Sequence, residues 1–169
     1  SEAVYKQYAS LLLEDNQIEK GFLISSGSDV SPDGNAGDPD KWVYILNLKR
    51  DNFQDYLQHG NWTLELSGSG GDVSKGKSGK TIKLTDNSNI LTLPPYQSAA
   101  GRRYDIISGS SGGVVDGYDS VYNRYGWFYP EMGIMIFGEK LGSEMSGSTS
   151  SPSVTKWSGS AIEHNQLLP

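Results

Sequence analysis

Residues 126–137 read GWFYPEMGIMIF, two apolar arms joined by Pro-Glu-Met-Gly, and nothing else in the chain restricts its fold as strongly. The arms, Gly126–Tyr129 and Gly133–Phe137, carry no polar face. A strand with one side in water alternates apolar and polar residues, whereas a strand that is apolar throughout is covered on both sides. Pro130 sets φ for the turn, and Gly133 accepts the positive φ that a bulged hairpin requires. The pattern therefore predicts a hairpin at the buried heart of a sheet.

Other segments supply partners for it. Trp42–Lys49 (WVYILNLK) is apolar on both faces in its first half and is expected in mid-sheet or beneath a helix. Trp62–Ser67 alternates, with Trp62, Leu64 and Leu66 inward, and Thr81–Thr85 repeats the pattern with Ile82 and Leu84. The two are expected to pair across a Gly-rich connection. Further strands are expected at Gly21–Ile24, Ile90–Leu93 and Tyr104–Ser108. Ala3–Leu13 has helical spacing, Val4, Tyr8, Leu11 and Leu12 on one face and Lys6, Gln7 and Ser10 on the other. Asp51 and Gln54 have capping-box spacing for a short helix that Gly60 would terminate.

The abundance of Gly (21), Tyr (10) and Trp (4) favours strands and tight turns over helices. The expected class is α+β, β-rich: a mainly antiparallel sheet with one N-terminal helix, one short helix and a buried C-terminal hairpin. At 169 residues the chain is long enough for one domain with a real core. That domain is placed at 1–141. The Ser- and Gly-rich residues 142–169 read as an extension or linker to a further segment, and the chain as one ordered piece of a longer polypeptide.

A formal charge of −6 opposes a nucleic-acid surface, which needs clustered Lys and Arg. The absence of Cys removes disulfides, thiolate metal sites and cysteine nucleophiles. No apolar run has the length of a membrane-spanning helix.

Three motifs invite an enzymatic or metal reading. Gly71–Ser78 (GDVSKGKS) matches the phosphate-binding pattern GxxxxGK[ST], which works at the start of a helix. Here Gly79-Lys80-Thr81-Ile82-Lys83-Leu84 follows, a strand pattern, so a solvated hairpin loop carrying Lys75, Lys77 and Lys80 is expected instead. Gly109–Gly113 (GSSGG) matches the nucleophile elbow GxSxG, with Asp116 and His164 as nominal partners, but Val114–Gly117 reads as a turn or short strand where a helix is needed. The acidic loop around Asp29, Asp33, Asn35, Asp38 and Asp40 offers hard oxygen ligands, yet it lacks EF-hand spacing. Asp29, Asp33, Asp38 and Asp40 stand as weak calcium candidates against a solvated loop. No catalytic residue, cofactor or small-molecule substrate is expected.

His59 reads as the end of the short helix, favourable to the helix dipole. Tyr122, Tyr125, Trp127 and Tyr129, with Phe128 among them, can line a sugar-binding face or serve as core and subunit contact, since Tyr and Trp suit all three. Lys49, Arg50, Arg102 and Arg103 read as contacts to acidic neighbours or solvated surface.

The stretches AVYKQYASLLL, VYILNLKRDNFQDYLQHGNWTLELSG, TIKLTDNS, RRYDIISGS and YGWFYPEMGIMIF, in this order, carry a resemblance. Together they resemble a domain of large structural proteins in contractile-tailed bacteriophages, especially those infecting marine cyanobacteria. The similarity runs to about Leu141. It implies a virion structural protein of the tail baseplate or its wedges, acting through subunit contacts with other virion proteins and copies of itself. It implies no catalytic residue set, and it marks the acidic and lysine-rich loops as variable insertions. The alternative expectation is a carbohydrate-binding module engaging host surface glycan.

Overall fold

The computed structural model describes residues 2–24, 39–49, 51, 55–68, 80–111, 113–114, 124–141 and 165–167. Two helices, α1 (Glu2–Leu12) and α2 (Asp15–Ile18), precede nine strands. These are β1 (Val43–Asn47), β2 (Leu64–Gly68), β3 (Lys80–Asp86), β4 (Tyr96–Ser98), β5 (Gly101–Ser110), β6 (Gly113–Val114), β7 (Gly126–Tyr129), β8 (Ile134–Phe137) and β9 (Asn165–Leu167). Their order is β2-β3-β5-β7-β8-β1-β9, with β4 and β6 attached to β5. Every pairing is antiparallel. The fold is thus the β-rich α+β class expected, a curled antiparallel sheet with few, short helices.

The β7–β8 hairpin is the centre that its sequence demands. Gly126 lies opposite Phe137 and Tyr129 opposite Ile134, and every residue of both strands is buried. Gly133 closes the turn at φ +68°, its N–H donating to the Tyr129 carbonyl at 2.9 Å. Because residues alternate across a pleated strand, Trp127, Tyr129, Ile134 and Ile136 face one side and Phe128, Met135 and Phe137 the other. β1 divides likewise, Val43 and Ile45 from Tyr44 and Leu46. At Gly126 the strands approach so closely that a Cβ would lie 2.2 Å from the Ile136 carbonyl oxygen, so only glycine fits.

Two cores result. On one face α1 contributes Ala9 and Leu12, and the chain after it Leu13, Phe22 and Ile24, against Trp127, Tyr129 and Ile136. Phe22 meets Tyr5 edge-on, with centroids 5.3 Å apart. On the other face the sheet curls over its own side chains: Leu66, Ile82 and Leu84 of the β2–β3 hairpin close with Tyr104, Ile106 and Phe128. Trp62 meets Phe128 edge-on at 5.4 Å. The β2–β3 register sets Leu64 opposite Leu84 and Leu66 opposite Ile82, as the alternation requires.

Several local expectations are corrected. Ile90–Leu93 is not a strand. The Asn87 carbonyl accepts from both the Ile90 and Leu91 N–H groups (3.1 and 3.2 Å), which makes a turn, and Pro94-Pro95 then removes two ladder donors. Residues 21–24 form no strand, although the Phe22 carbonyl accepts from Asp40 N–H at 2.7 Å. Residues 55–58 are not helical, so Gly60, at φ +72°, serves a turn rather than a helix end. Gln54 lies outside the described residues. A short helix that the sequence reading does not anticipate is α2, where Gln17 Oε1 accepts from the Glu14 N–H at 3.4 Å. Leu11 points away from the core, whose α1 contacts are Val4, Tyr5, Tyr8, Ala9 and Leu12.

Of the segment after Leu141, residues 165–167 pair with β1, Val43 opposite Leu167. No helix among the described residues is long and apolar enough to cross a membrane.

Candidate functional site

The aromatic candidates belong to the core. Tyr125, Trp127 and Tyr129 are 7%, 4% and 0% exposed. A sugar-stacking face or subunit contact needs accessible rings, so these three supply neither. Tyr122 lies outside the described residues. Burial drives the Tyr129 hydroxyl up to about 12, against the opposing field of Arg103.

Asp40 of the acidic loop is a structural ligand to backbone. Its carboxylate accepts from Ile24 N–H at 2.8 Å and from Glu139 N–H at 3.0 Å, and its carbonyl accepts from the Tyr5 hydroxyl at 2.8 Å. The Glu139 carboxylate in turn accepts from Lys41 N–H. These bonds lash 22–24, 39–41 and 138–141 together. Asp29, Asp33 and Asp38 lie outside the described residues.

The two catalytic look-alikes sit in hairpin contexts. Gly109 and Ser110 of β5 pair back onto Val114 and Gly113 of β6, so a strand stands where an elbow needs a helix. Asp116 and His164 lie outside the described residues, as do residues 71–78 of the GxxxxGKS match. The strands flanking that match pair antiparallel, with Gly68 opposite Lys80. His59 is not at a helix end; its ring stacks on Tyr104 with centroids 4.8 Å apart.

What the structure does present is an exposed apolar loop on a stiff mount. From the end of β3 to the first residue of β4, Ile90, Leu91, Leu93 and Tyr96 all stand in solvent, Leu93 at 75% exposure and Tyr96 at 45%. The entry to this loop is pinned by a polar knot. Buried Asp86 accepts from Gly60 N–H at 2.7 Å and from Ser88 N–H at 2.9 Å, while the Asn89 side chain donates to the Gly60 carbonyl at 3.1 Å. Asn87 continues the ladder onto Asp105, N–H to carbonyl at 3.0 Å and N–H to Oδ1 at 3.1 Å. The exit is the tight β4–β5 hairpin, where the Ser98 hydroxyl donates to the Gly101 carbonyl at 2.8 Å and Gly101 adopts φ +99°.

Two arginines flank the hairpin on opposite faces. Arg102 is ion-paired with Glu131 of the β7–β8 turn and lies 5.2 Å from the Tyr56 ring centroid. Arg103 is held between rings, 4.1 Å from Tyr96 and 4.0 Å from Trp127. Such cation–π contacts contribute roughly 0.5–2 kcal/mol each and fix the guanidinium plane. Both arginines, expected as contacts to acidic neighbours or solvated surface, are thus engaged within their own chain.

This surface is hidden in the sequence because Ile90–Leu93 has the composition of a short strand. A signal was nonetheless present: from Asn87 to Gly101 the chain contains no Asp, Glu, Lys or Arg. An apolar, charge-poor centre rimmed by Tyr and Arg has the composition of a protein–protein contact. No protein-family model, curated protein or solved structure matches the chain.

Proposed function

We propose that this chain is a structural module of a contractile-tailed phage particle, in the tail baseplate or its wedges, and that it works by subunit association rather than catalysis. The observation that carries the reading is the loop Ile90–Tyr96, apolar and exposed, yet fixed at both ends by the Asp86 knot and the β4–β5 hairpin. A pre-ordered apolar surface loses little conformational entropy on docking, which favours a permanent contact. The resemblance of the motif series to phage structural proteins supplies the particle. Partners are then other virion proteins and copies of the chain.

The carbohydrate-binding alternative has less support. Its buried rings are unavailable, and the exposed tyrosine rings among the described residues, Tyr56 and Tyr96, each carry a guanidinium against one face. Peptide mass spectrometry across a density gradient of source particles tests the assembly reading. Co-migration at fixed stoichiometry is expected. Peptides confined to soluble fractions, together with a positive glycan array, would replace it with the glycan-binding one.

A further inference from the structure

β1 and β8 run antiparallel with Tyr44 opposite Phe137, so the chain enters β1 and leaves β8 at the same end of the ladder. Beyond that end the two segments, 39–41 and 138–141, are joined through side chains. One oxygen of the Asp40 carboxylate accepts from Glu139 N–H at 3.0 Å, and the Glu139 carboxylate accepts from Lys41 N–H. Each carboxylate takes a backbone donor from the opposite segment, a crossed pair where the ladder stops. The second Asp40 oxygen accepts from Ile24 N–H at 2.8 Å, which adds the chain after α2. With both oxygens on backbone donors, Asp40 has a hydrogen-bonding role, not the calcium-binding one considered from the sequence.

This clasp spans the sheet. Ile24 belongs to the core beneath α1, and Leu141 to the core under the curled β2–β3 hairpin. Asp40 and Glu139 are both buried. The described residues bring four further titratable or charged groups to it. Tyr5 of α1 donates to the Asp40 carbonyl at 2.8 Å, and the Lys41 charge favours an ionised Glu139. Arg124 donates to the carbonyls of Ile24 and Leu23 at 2.6 and 3.0 Å, and Lys140 lies 4.6 Å from the Tyr125 ring centroid.

We propose that the Asp40–Glu139 pair is a proton-operated clasp, closed over 22–24, 39–41 and 138–141 while Glu139 is protonated, and opening locally, with the sheet still folded, when Glu139 loses its proton.

The reason is electrostatic. A protonated Glu139 places a neutral carboxyl beside Asp40 in a buried site, whereas an ionised one places a second negative charge there. Burial is the largest influence and lifts the Glu139 carboxyl to about 7; the Lys41 N–H opposes it and Asp40 adds to it. In an open clasp the group is hydrated and returns toward 4.5. The closed form therefore holds more protons between the two values, and closure weakens as pH rises through them. The clasp lies outside the β1–β8 ladder, so its opening breaks none of the pairings from Tyr44–Phe137 to Asn47–Ile134.

Amide hydrogen exchange of the full chain, followed by NMR and corrected for the intrinsic effect of pH, tests this. Between about pH 5 and about pH 8, protection of the Ile24, Lys41 and Glu139 amides should fall at least about tenfold. At the higher pH, low urea concentrations should leave their exchange unchanged, since a local opening exposes little surface. Gly133, whose N–H donates to the Tyr129 carbonyl in the central turn, should instead exchange faster as urea is added. Glu139→Gln, which cannot ionise, should keep the three amides equally protected at both pH values. Wild-type protection that does not change with pH overturns the proposal, as does a fall that persists in Glu139→Gln. Clasp amides that follow Gly133 in urea also overturn it, because opening would then require unfolding of the sheet. Should Glu139→Gln fold poorly, the wild-type comparison of pH and urea decides alone.

Discussion

The buried carboxylate of Asp86 accepts the backbone N–H of Gly60 at 2.7 Å, joining the turn before β2 to the end of β3 across 26 positions of sequence. Its other oxygen accepts from Ser88 N–H at 2.9 Å. Gly60 is at φ +72°, and a Cβ there would lie 2.7 Å from both the Ser88 hydroxyl and the Asn89 amide oxygen. One carboxylate and one glycine therefore hold the apolar loop in place.

Asp86→Ala strands two backbone donors, each worth about 1–3 kcal/mol when left unsatisfied in a buried site. A loss of roughly 2–4 kcal/mol is expected by urea denaturation. Gly60→Ala, strained in backbone and short of space, should lose about 1–3 kcal/mol. If both variants unfold at the wild-type midpoint, the knot is not what holds the loop.

Gly126→Ala tests the central hairpin. The added methyl would sit 2.2 Å from the Ile136 carbonyl oxygen, between two strands that are buried on both faces and have no room to part. A destabilisation of at least about 3 kcal/mol, or failure to fold, is expected. A variant with wild-type melting would mean that β7 and β8 are farther apart than described.

Glu139 makes stability depend on pH. Burial, mainly, pushes its carboxyl from 4.5 up to about 7, and Asp40 pushes it further up, while the N–H groups of Lys41 and Trp42 and the Lys41 charge pull the other way. Between those values the folded state holds more protons than the unfolded state, so stability falls as pH rises. The favourable contribution is complete below about 4.5 and gone above about 7, on the order of 2 kcal/mol in all. Glu139→Gln should flatten that part of the pH–stability profile, measured by thermal melts. An unchanged slope would assign the pH dependence to other groups.

Tyr5→Phe removes one hydroxyl with two jobs: it donates to the Asp40 carbonyl at 2.8 Å and accepts from Phe22 N–H at 3.0 Å. The ring stays against Phe22, so packing is conserved. A loss of about 1–3 kcal/mol is expected, with faster hydrogen exchange at the Phe22 amide. An amide as protected as in wild type would show that another acceptor serves it.

The centre of the fold was legible because physics at β7 and β8 has no alternative. Apolar residues on both faces demand cover on both faces, and Pro130 and Gly133 demand a turn. The alternation of Trp62–Ser67 and Thr81–Thr85 likewise fixed both pairing and inward face. Ile90–Leu93 is not legible as a turn because exposed apolar residues in a turn share the composition of a short strand. What separates them is the Asn87 carbonyl, a tertiary fact once Asn87 is engaged with Asp105. The run of rings from Tyr125 to Tyr129 does not say in sequence whether water or protein lies outside it; α1 and the curled β2–β3 hairpin decide that. The Arg103 clamp depends on the β4–β5 register, Tyr96 opposite Arg103, which no local pattern announces. α2 carries a local signal, Glu14 three residues before Gln17, but Asp51 and Gln54 show the same spacing, so spacing alone does not single it out.

β1 has a further consequence for how the chain is made. One of its ladder partners, β8, Asn47 opposite Ile134 and Tyr44 opposite Phe137, follows it only after β2 to β7 have been made. During translation, Val43, Tyr44, Ile45 and Leu46 leave the ribosome before β8 and wait, greasy on both sides, while the intervening chain is built. Pairings this distant in sequence close slowly. Until β8 emerges the nascent chain therefore carries a sticky edge without that partner, and this is the interval in which β1 is most open to aggregation.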